Sequence, residues 1–397
     1  MESIESRKVK GQLLADTTYI THRAGNYYVK SSNPNKGSYR IPENSFNCNC
    51  PDFVYNKQKC KHIHAVETYI GKEVMPAPII NRPRHTQNWS AYHRSQQTEK
   101  NVFLGLLSEL TRAIDEPENS TGRPALSLGD MIFSVVFKVY SQMSSRRFQT
   151  DLIDAKVKGY INEAPHYNSL IRYMEKESTT PYLEMLVEET SKPLASLETD
   201  FAVDSTGLGT SNAQTWYRAK YKDTVALTAR DWVKLHCCVG VRTNIITAAE
   251  ISDSRSNDAK HFIPVLETTR KNFTIKEVSA DKGYTSGKHL AYAEMHGIQP
   301  YIAFKENSNA TSHMSSALWK RMFHHYNLHR EEFIEHYSKR NNVETAFYML
   351  KTKFGGMLKS KTREALKNEA LCKVICHNIS VLWHSMNEFG IVPEFMC

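Results

Sequence analysis

The pattern of apolar and polar positions divides the chain into three textures. From about residue 10 to 45, short runs (TTYITH, YYVKSS and SYRI) are separated by Gly, Asn and Pro turns, which predicts short strands. A short helix is expected from about Lys61 to Ile70. Residues 74–100 are polar, basic and punctuated by proline, the texture of a linker. From about 101 to 195 the period is helical: in NVFLGLLSELTRAI, apolar positions 103, 104, 106, 107, 110 and 114 share one face. MIFSVVFKVY, SRRFQTDLIDAKVKG and PHYNSLIRYMEKE predict further helices. Near residue 198 the texture turns to strands. TDFAVDSTG reads as an apolar strand ending in a polar turn, followed by the β-rich runs VKLHCCVGVRT and ITAAEIS. NDAKHFIPVLETTRKN reads as a helix, IKEVSADKGY as a strand closing in an acidic turn, GKHLAYAEMHG as a helix and QPYIAFK as a strand. The remainder is helical. Strands first, then strand–helix alternation, predict an α+β fold: a mixed sheet with helices packed on it.

A chain of 397 residues has room for two or three domains. The textures divide it into a module over 1–73, a linker over 74–100, a helical region over 101–195 and a mixed domain over 196–397. No stretch approaches the roughly 20 apolar residues of a membrane span. The N-terminus, MESIESRKVK, lacks the apolar core of a secretory signal, so a cytoplasmic protein is expected. The net charge of +9 is concentrated: residues 1–100 hold 15 Lys and Arg against 8 Asp and Glu. Such a surplus suits a polyanionic partner, although a basic domain with no nucleic-acid role has the same composition.

Eight cysteines lie at 48, 50, 60, 237, 238, 372, 376 and 397. Cys48-x-Cys50, nine residues, then Cys60-x-His62 places four soft or borderline donors in two close pairs, which suits one tetrahedral Zn²⁺. Three cysteines buried for packing beside a surface histidine is the plainer reading. His64 is a weaker candidate for the fourth ligand. Lys57, Lys59 and Lys61 flank the cluster, either facing phosphates or simply solvated. Over about residues 18–70 the C-x-C…C-x-H pattern, with strands before it and a helix after it, resembles the SWIM zinc finger.

Three carboxylates stand out by position. Asp204 follows the apolar FAV and precedes Ser-Thr-Gly, Asp281 follows IKEVSA, and Glu344 lies in YSKRNNVETAFYMLK, which reads as a helix. Singly, each has an ordinary explanation as a turn or a solvated helix residue. Converging on one sheet edge, they would repel one another unless divalent metal lay between them. Around Glu344 stand Tyr337, Arg340 and Lys351; the four positions follow one another in steps of 3, 4 and 7 and are expected on one helix face. This spacing resembles the Y-R-E-K signature of DDE insertion-sequence transposases, the superfamily named after insertion sequence four. AVDSTG and SADKGY resemble the same family's two Asp motifs, and the resemblance covers about residues 120–390.

The resemblance implies a ribonuclease-H-like catalytic domain in which Asp204, Asp281 and Glu344 hold two Mg²⁺ (or Mn²⁺), with Tyr337, Arg340 and Lys351 positioning phosphates. It implies a transposase that cuts transposon ends and transfers them to target DNA. Double-stranded DNA (terminal inverted repeats and target) would be its partner, a homodimer its working form, and the prokaryotic nucleoid its place. A structure-selective nuclease on the same fold and a non-enzymatic, domesticated DNA-binding protein are the rival readings. Some relatives carry a long β-rich insertion between the second Asp and the Glu; here only 62 residues separate Asp281 from Glu344.

Residues 126–176 suggest a helix-turn-helix, with Arg146 and Arg147 as its basic residues. Gly122-Arg123-Pro124 resembles a minor-groove hook, and Trp216 and Tyr217 are either base-stacking or core aromatics. Cys237 and Cys238 are expected in an apolar strand, and Cys372, Cys376 and His377 in the core face of a helix.

Overall fold

The computed structural model describes residues 4–18, 20–31, 37–74, 88–116, 126–210, 232–305, 308 and 316–395. Gly122-Arg123-Pro124, Trp216 and Tyr217 lie outside the described residues. The chain divides into two compact units. One comprises residues 1–83, 285–291 and 303–337, and the other 84–284, 292–302 and 338–397. The helical region over 101–195 thus shares a unit with the strands that follow it.

The first unit opens with α1 (Ile4–Thr17), which the sequence reading did not anticipate. β1 (Ile20–Arg23), β2 (Asn26–Lys30) and β3 (Ser38–Pro42) form an antiparallel sheet, and α2 (Pro51–Asn56) and α3 (Lys61–Val74) follow. α1 lies across α3 at Gly11, where an added Cβ would stand 2.4 Å from the Cβ of His64. Arg7, buried, ties α1 to the α2 region by donating to Asp52 and Gln58 at 3.1 and 2.9 Å.

In the second unit α4 (Trp89–Arg112) begins inside the stretch read as linker. Asn88 caps it, its side chain accepting from the Ala91 amide at 3.1 Å. α5 (Leu128–Ser141), α6 (Gln149–Val157), α7 (Tyr167–Glu175) and α8 (Thr180–Ser191) continue the helical layer. Residues 158–166 separate α6 from α7, a longer connection than the three- or four-residue turn of a helix-turn-helix. The sheet then begins: β4 (Asp200–Thr210), β5 (Trp232–Gly240), β6 (Ile246–Asp253), α9 (Phe262–Arg270), β7 (Glu277–Ala280), α10 (Gly287–Met295, of which residues 287–291 fall in the first unit) and β8 (Gln299–Ile302). The order is β6-β5-β4-β7-β8, with β4, β5 and β6 antiparallel and β7 and β8 parallel to β4. This is the ribonuclease-H-like arrangement: three meandering strands, then two joined by helical crossovers.

α11 (Ala317–Leu328) and α12 (Arg330–Tyr337) belong to the first unit. The second resumes with α13 (Asn341–Phe354), the short β9 (Met357–Leu358) paired to β4, and α14 (Arg363–Phe389). α14 is buried along most of its length and packs on α4, α5, α7, α8 and β6. Cys372, Cys376 and His377 are buried in it; Cys372 and Cys376 join the apolar core, and His377 meets the Asn244 carbonyl at 2.9 Å through Nε2. Two buried polar residues fix its register. Asn378 accepts from the Ile246 amide at 3.0 Å and donates to the Ile246 carbonyl at 2.8 Å. Lys373 donates to the carbonyls of Gly355 and Met357 at 2.6 and 2.7 Å, gripping the chain where α13 ends. α13 is thereby held at its C-terminal end by the central helix of the unit. Cys237 and Cys238 are fully buried in β5, as their apolar run predicts.

Among the described residues, no helix is long and apolar enough to cross a membrane.

Candidate functional site

The zinc cluster assembles from the residues read in the sequence. Cys48 and Cys50 follow β3; Cys60 precedes α3 and His62 sits in its first turn. All four are buried, and their donor atoms lie within 4.8 Å of one another. His62 Nδ1 is 3.8 Å from Cys60 Sγ. Tetrahedral bonds of ~2.3 Å to sulfur and ~2.0 Å to nitrogen require donor separations of about 3.5–3.8 Å, so the set fits zinc after slight contraction. Cys50 also caps α2, accepting from the Phe53 amide at 3.4 Å. Hydrogen bonds from Cys48 and Cys60 hold the Cys50 thiol well below its ordinary range, and the helix end favours the same thiolate. Tyr39 packs on the His62 ring with centroids 4.6 Å apart. His64 is engaged elsewhere, its Nδ1 3.2 Å from Glu67 Oε2, and is not part of the cluster. Lys59 pairs with the same Glu67 at 2.5 Å.

The acidic constellation is set by strand register. β4 and β7 pair in parallel up to Val203 beside Ala280. Asp204 and Asp281 are the next residue on each strand, so the two carboxylates leave adjacent strands at the same level, where neighbouring chains run about 4.8 Å apart. Asp204 is not at a strand end: β4 continues to Thr210, because Ser205–Gly209 stay paired to β5. It is β7 that stops, at Ala280, so Asp204 lies beyond the last residue of β7 paired to β4. Burial is the main influence raising the Asp204 carboxyl above its ordinary value, and the charges of Asp281 and Glu344 add to it. The Ser205 amide, donating at 2.8 Å, and Arg340 act in the opposite direction.

Glu344 comes from α13, with its side chain 58% exposed. Arg340 joins it to the strand. One guanidinium nitrogen lies 3.1 Å from Asp204 Oδ2 and the other 2.9 Å from Glu344 Oε1. Glu344 is one helical turn from Arg340, whereas Asp204, 136 residues away in sequence, is brought to it by the fold. Lys351 donates to the Thr206 hydroxyl at 2.6 Å, two residues beyond Asp204 on the same face of β4. Burial lowers the Lys351 pKa, and among the described residues its ammonium has no carboxylate partner. An ammonium so placed is a receptor for an anion.

The signature residues do not stand in one helical row. A 3₁₀ turn, Ser338–Arg340, interrupts the helix between Tyr337 and Glu344. Tyr337 ends α12 in the first unit, stacked on Phe333 with centroids 6.2 Å apart. The turn is held by Lys339, whose ammonium lies 2.7 Å from Asp200 and 3.1 Å from Glu277, neighbours across β4 and β7. These partners raise the Lys339 pKa against the effect of its burial. Lys339 was missed in the sequence because nothing local marks it. It fixes the turn from which Arg340 reaches the acids. Tyr284, in the turn after Asp281, is buried in the same unit, and burial and the Asp204 charge push its phenol far up.

Residues 195–379 match the transposase DDE domain family, and residues 47–71 match the SWIM zinc finger. No curated protein and no solved structure matches the chain. The Cys₃His cluster falls within the second match, and the three acids within the first. Residues 195–379 are therefore a transposase DDE domain, and residues 47–71, ahead of it, a SWIM zinc finger.

Proposed function

We propose that this chain is a transposase that cuts DNA at transposon ends and joins the cut ends to target DNA, with Asp204, Asp281 and Glu344 as its catalytic acids. The observation that carries this reading is the level placement of Asp204 and Asp281 on adjacent strands, with Glu344 linked to Asp204 through Arg340. Three carboxylates are the hard oxygen donors that Mg²⁺ or Mn²⁺ takes, and the upward push on Asp204 from its acidic neighbours is relieved by bound cations. Two such ions supply activation of the attacking water or 3′-hydroxyl and neutralise charge at the scissile phosphate. Lys351 and Arg340 bracket the acids with positive charge and position the phosphate. Tyr337 completes the Y-R-E-K signature of the subfamily. The partners are double-stranded terminal inverted repeats and target DNA. Pairing of two ends calls for a homodimer working at the nucleoid, in the cytoplasm.

A nuclease on the same fold would cut without joining. The test is a labelled, pre-cut end, taken from inverted repeats flanking the gene, incubated with a target plasmid and Mg²⁺. Joined product is expected; cleavage of uncut ends with no joining would reduce the function to a nuclease.

Arg340→Lys is expected to keep end binding within about threefold of wild type and to slow single-turnover cleavage more than about tenfold. A lysine ammonium lacks the planar fork that holds a phosphate through two parallel N–H bonds, and a small misplacement of the scissile group is costly in rate. A rate within about threefold, ~0.65 kcal/mol in barrier, would leave Arg340 as no more than an ion-pair partner of Glu344 on the protein surface.

A further inference from the structure

We infer that Tyr348 is a stacking platform for a nucleobase of the strand whose phosphate is held at Glu344, an inference that rests on the transposase reading above. Glu344, Tyr348 and Lys351 stand at positions i, i+4 and i+7 of α13 and share one face. The core side of the helix is formed by Val343, Ala346, Phe347, Leu350 and Phe354. Two members of the outer face reach polar partners: Glu344 meets Arg340, and Lys351 meets Thr206. Tyr348, between them, is 70% exposed, and neither its ring nor its hydroxyl has a partner among the described residues. The other tyrosines near this helix are engaged: Tyr140 stacks on Phe103 and donates to Glu99, and Tyr284 is buried.

A bare aromatic ring beside a phosphate-binding row has one chemical complement in DNA, the face of a base. Four residues of helix rise about 6 Å, and bases on a duplex strand are spaced ~3.4 Å apart. Tyr348 therefore stands within two nucleotides of a phosphate held by a cation at Glu344. Every base has a π-face, so stacking tolerates any sequence, but it needs a base unstacked from its neighbour. The ligand is thus an unpaired or lifted nucleobase next to the cut, with Tyr348 as a positioning residue.

The test uses the full chain and end duplexes carrying 2-aminopurine at each of the two positions on either side of the cleavage site, with Ca²⁺ to hold the complex uncut. For wild type, fluorescence should change on binding at one of these positions. Tyr348→Ala should abolish that change and slow single-turnover cleavage in Mg²⁺ by about 5- to 150-fold, the range of one base–aromatic stack. Affinity for the whole end should stay within about threefold, because phosphate contacts dominate it. Tyr348→Phe and Tyr348→Trp should keep both signal and rate. Wild-type signal and rate in Tyr348→Ala would overturn the inference, as would a Tyr348→Phe variant as impaired as alanine, which would assign the role to the hydroxyl. Wild-type protein that neither binds nor cuts the ends would overturn the transposase reading itself, and this inference with it. The exposure of Tyr348 makes the variants safe for folding, which far-ultraviolet circular dichroism checks.

Discussion

Alanine at Asp204, Asp281 or Glu344 is expected to lower single-turnover cleavage of a transposon end at least a thousandfold while leaving end binding within about threefold. On the proposed function each acid would hold cations whose charge stabilisation at phosphorus is worth several kcal/mol, and about 4 kcal/mol is a factor of a thousand in rate. If affinity for the end comes mainly from phosphate contacts, loss of one carboxylate leaves it intact, or raises it slightly by removing negative charge. Asp204→Ala also removes a partner of Arg340, so loss of rate could follow from a displaced guanidinium rather than from a missing ligand. Asp204→Asn separates the two causes. The amide keeps an oxygen for the Ser205 amide or for Arg340 but lacks the negative charge a divalent ion needs. A thousandfold loss in asparagine as well as alanine assigns the effect to metal binding. A variant of any of the three residues that cuts at the wild-type rate removes that residue from the site.

Sequence texture made the order of strands and helices from 196 to 302 legible, because FAV, HCCV and ITAA are short apolar runs with turn residues between them. It misplaced Asp204. Ser-Thr-Gly after Asp204 has turn composition, yet it stays in β4 because β5 supplies hydrogen-bond partners as far as Trp232 opposite Gly209, and Met357 of β9 flanks it from the other side. Strand length there is decided by neighbours distant in sequence. The break at Ser338–Arg340 was equally hidden. No Gly or Pro marks it, and it is held by Lys339 reaching across to Asp200 and Glu277. The spacing of Arg340, Glu344 and Lys351 nevertheless carried the right grouping, since Arg340 meets Glu344 across one turn and Lys351 reaches β4 beside Asp204. α1 and the first half of α4 escaped notice for a common reason. Neither IESRKVKGQLLADT nor WSAYHRSQQTEK has a clear apolar stripe. Arg7 anchors the first to Asp52 and Gln58, and Trp383 donates to the Ser95 carbonyl of the second at 2.9 Å. Helices secured by polar and packing contacts distant in sequence leave little mark in local periodicity.

Removal of zinc is expected to unfold the N-terminal module without touching the chemistry directly. Four protein donors fill a tetrahedral shell and leave no position for water, so the ion is structural. The core around it is small. Ile20, Tyr27, Val29, Ile41, Ile63, Ala65 and Val66 pack with the three cysteines themselves, so the metal ligands are part of the apolar cluster that holds β1–β3 to α3. A core of this size supplies no more than about 3–5 kcal/mol, whereas a structural zinc site contributes an apparent 10–16 kcal/mol. Without the ion, three thiols and an imidazole remain buried around an unfilled tetrahedral set of donors. Freshly purified protein should therefore carry about one Zn²⁺ per chain by elemental analysis. Cys48→Ser or Cys60→Ser should lose the ion, and limited proteolysis should then cut within residues 1–74 while the helices and strands of the second unit persist. His62→Ala should behave in the same way, whereas His64→Ala should keep zinc, because His64 is committed to Glu67 at 3.2 Å. Cobalt substitution adds a direct reading of the donor set, since three thiolates and one imidazole give an intense thiolate-to-metal absorption that falls with each cysteine removed. Retention of metal by His62→Ala with loss in His64→Ala would exchange the fourth ligand, and absence of zinc from the fresh protein would reduce the cluster to three cysteines packed in a core.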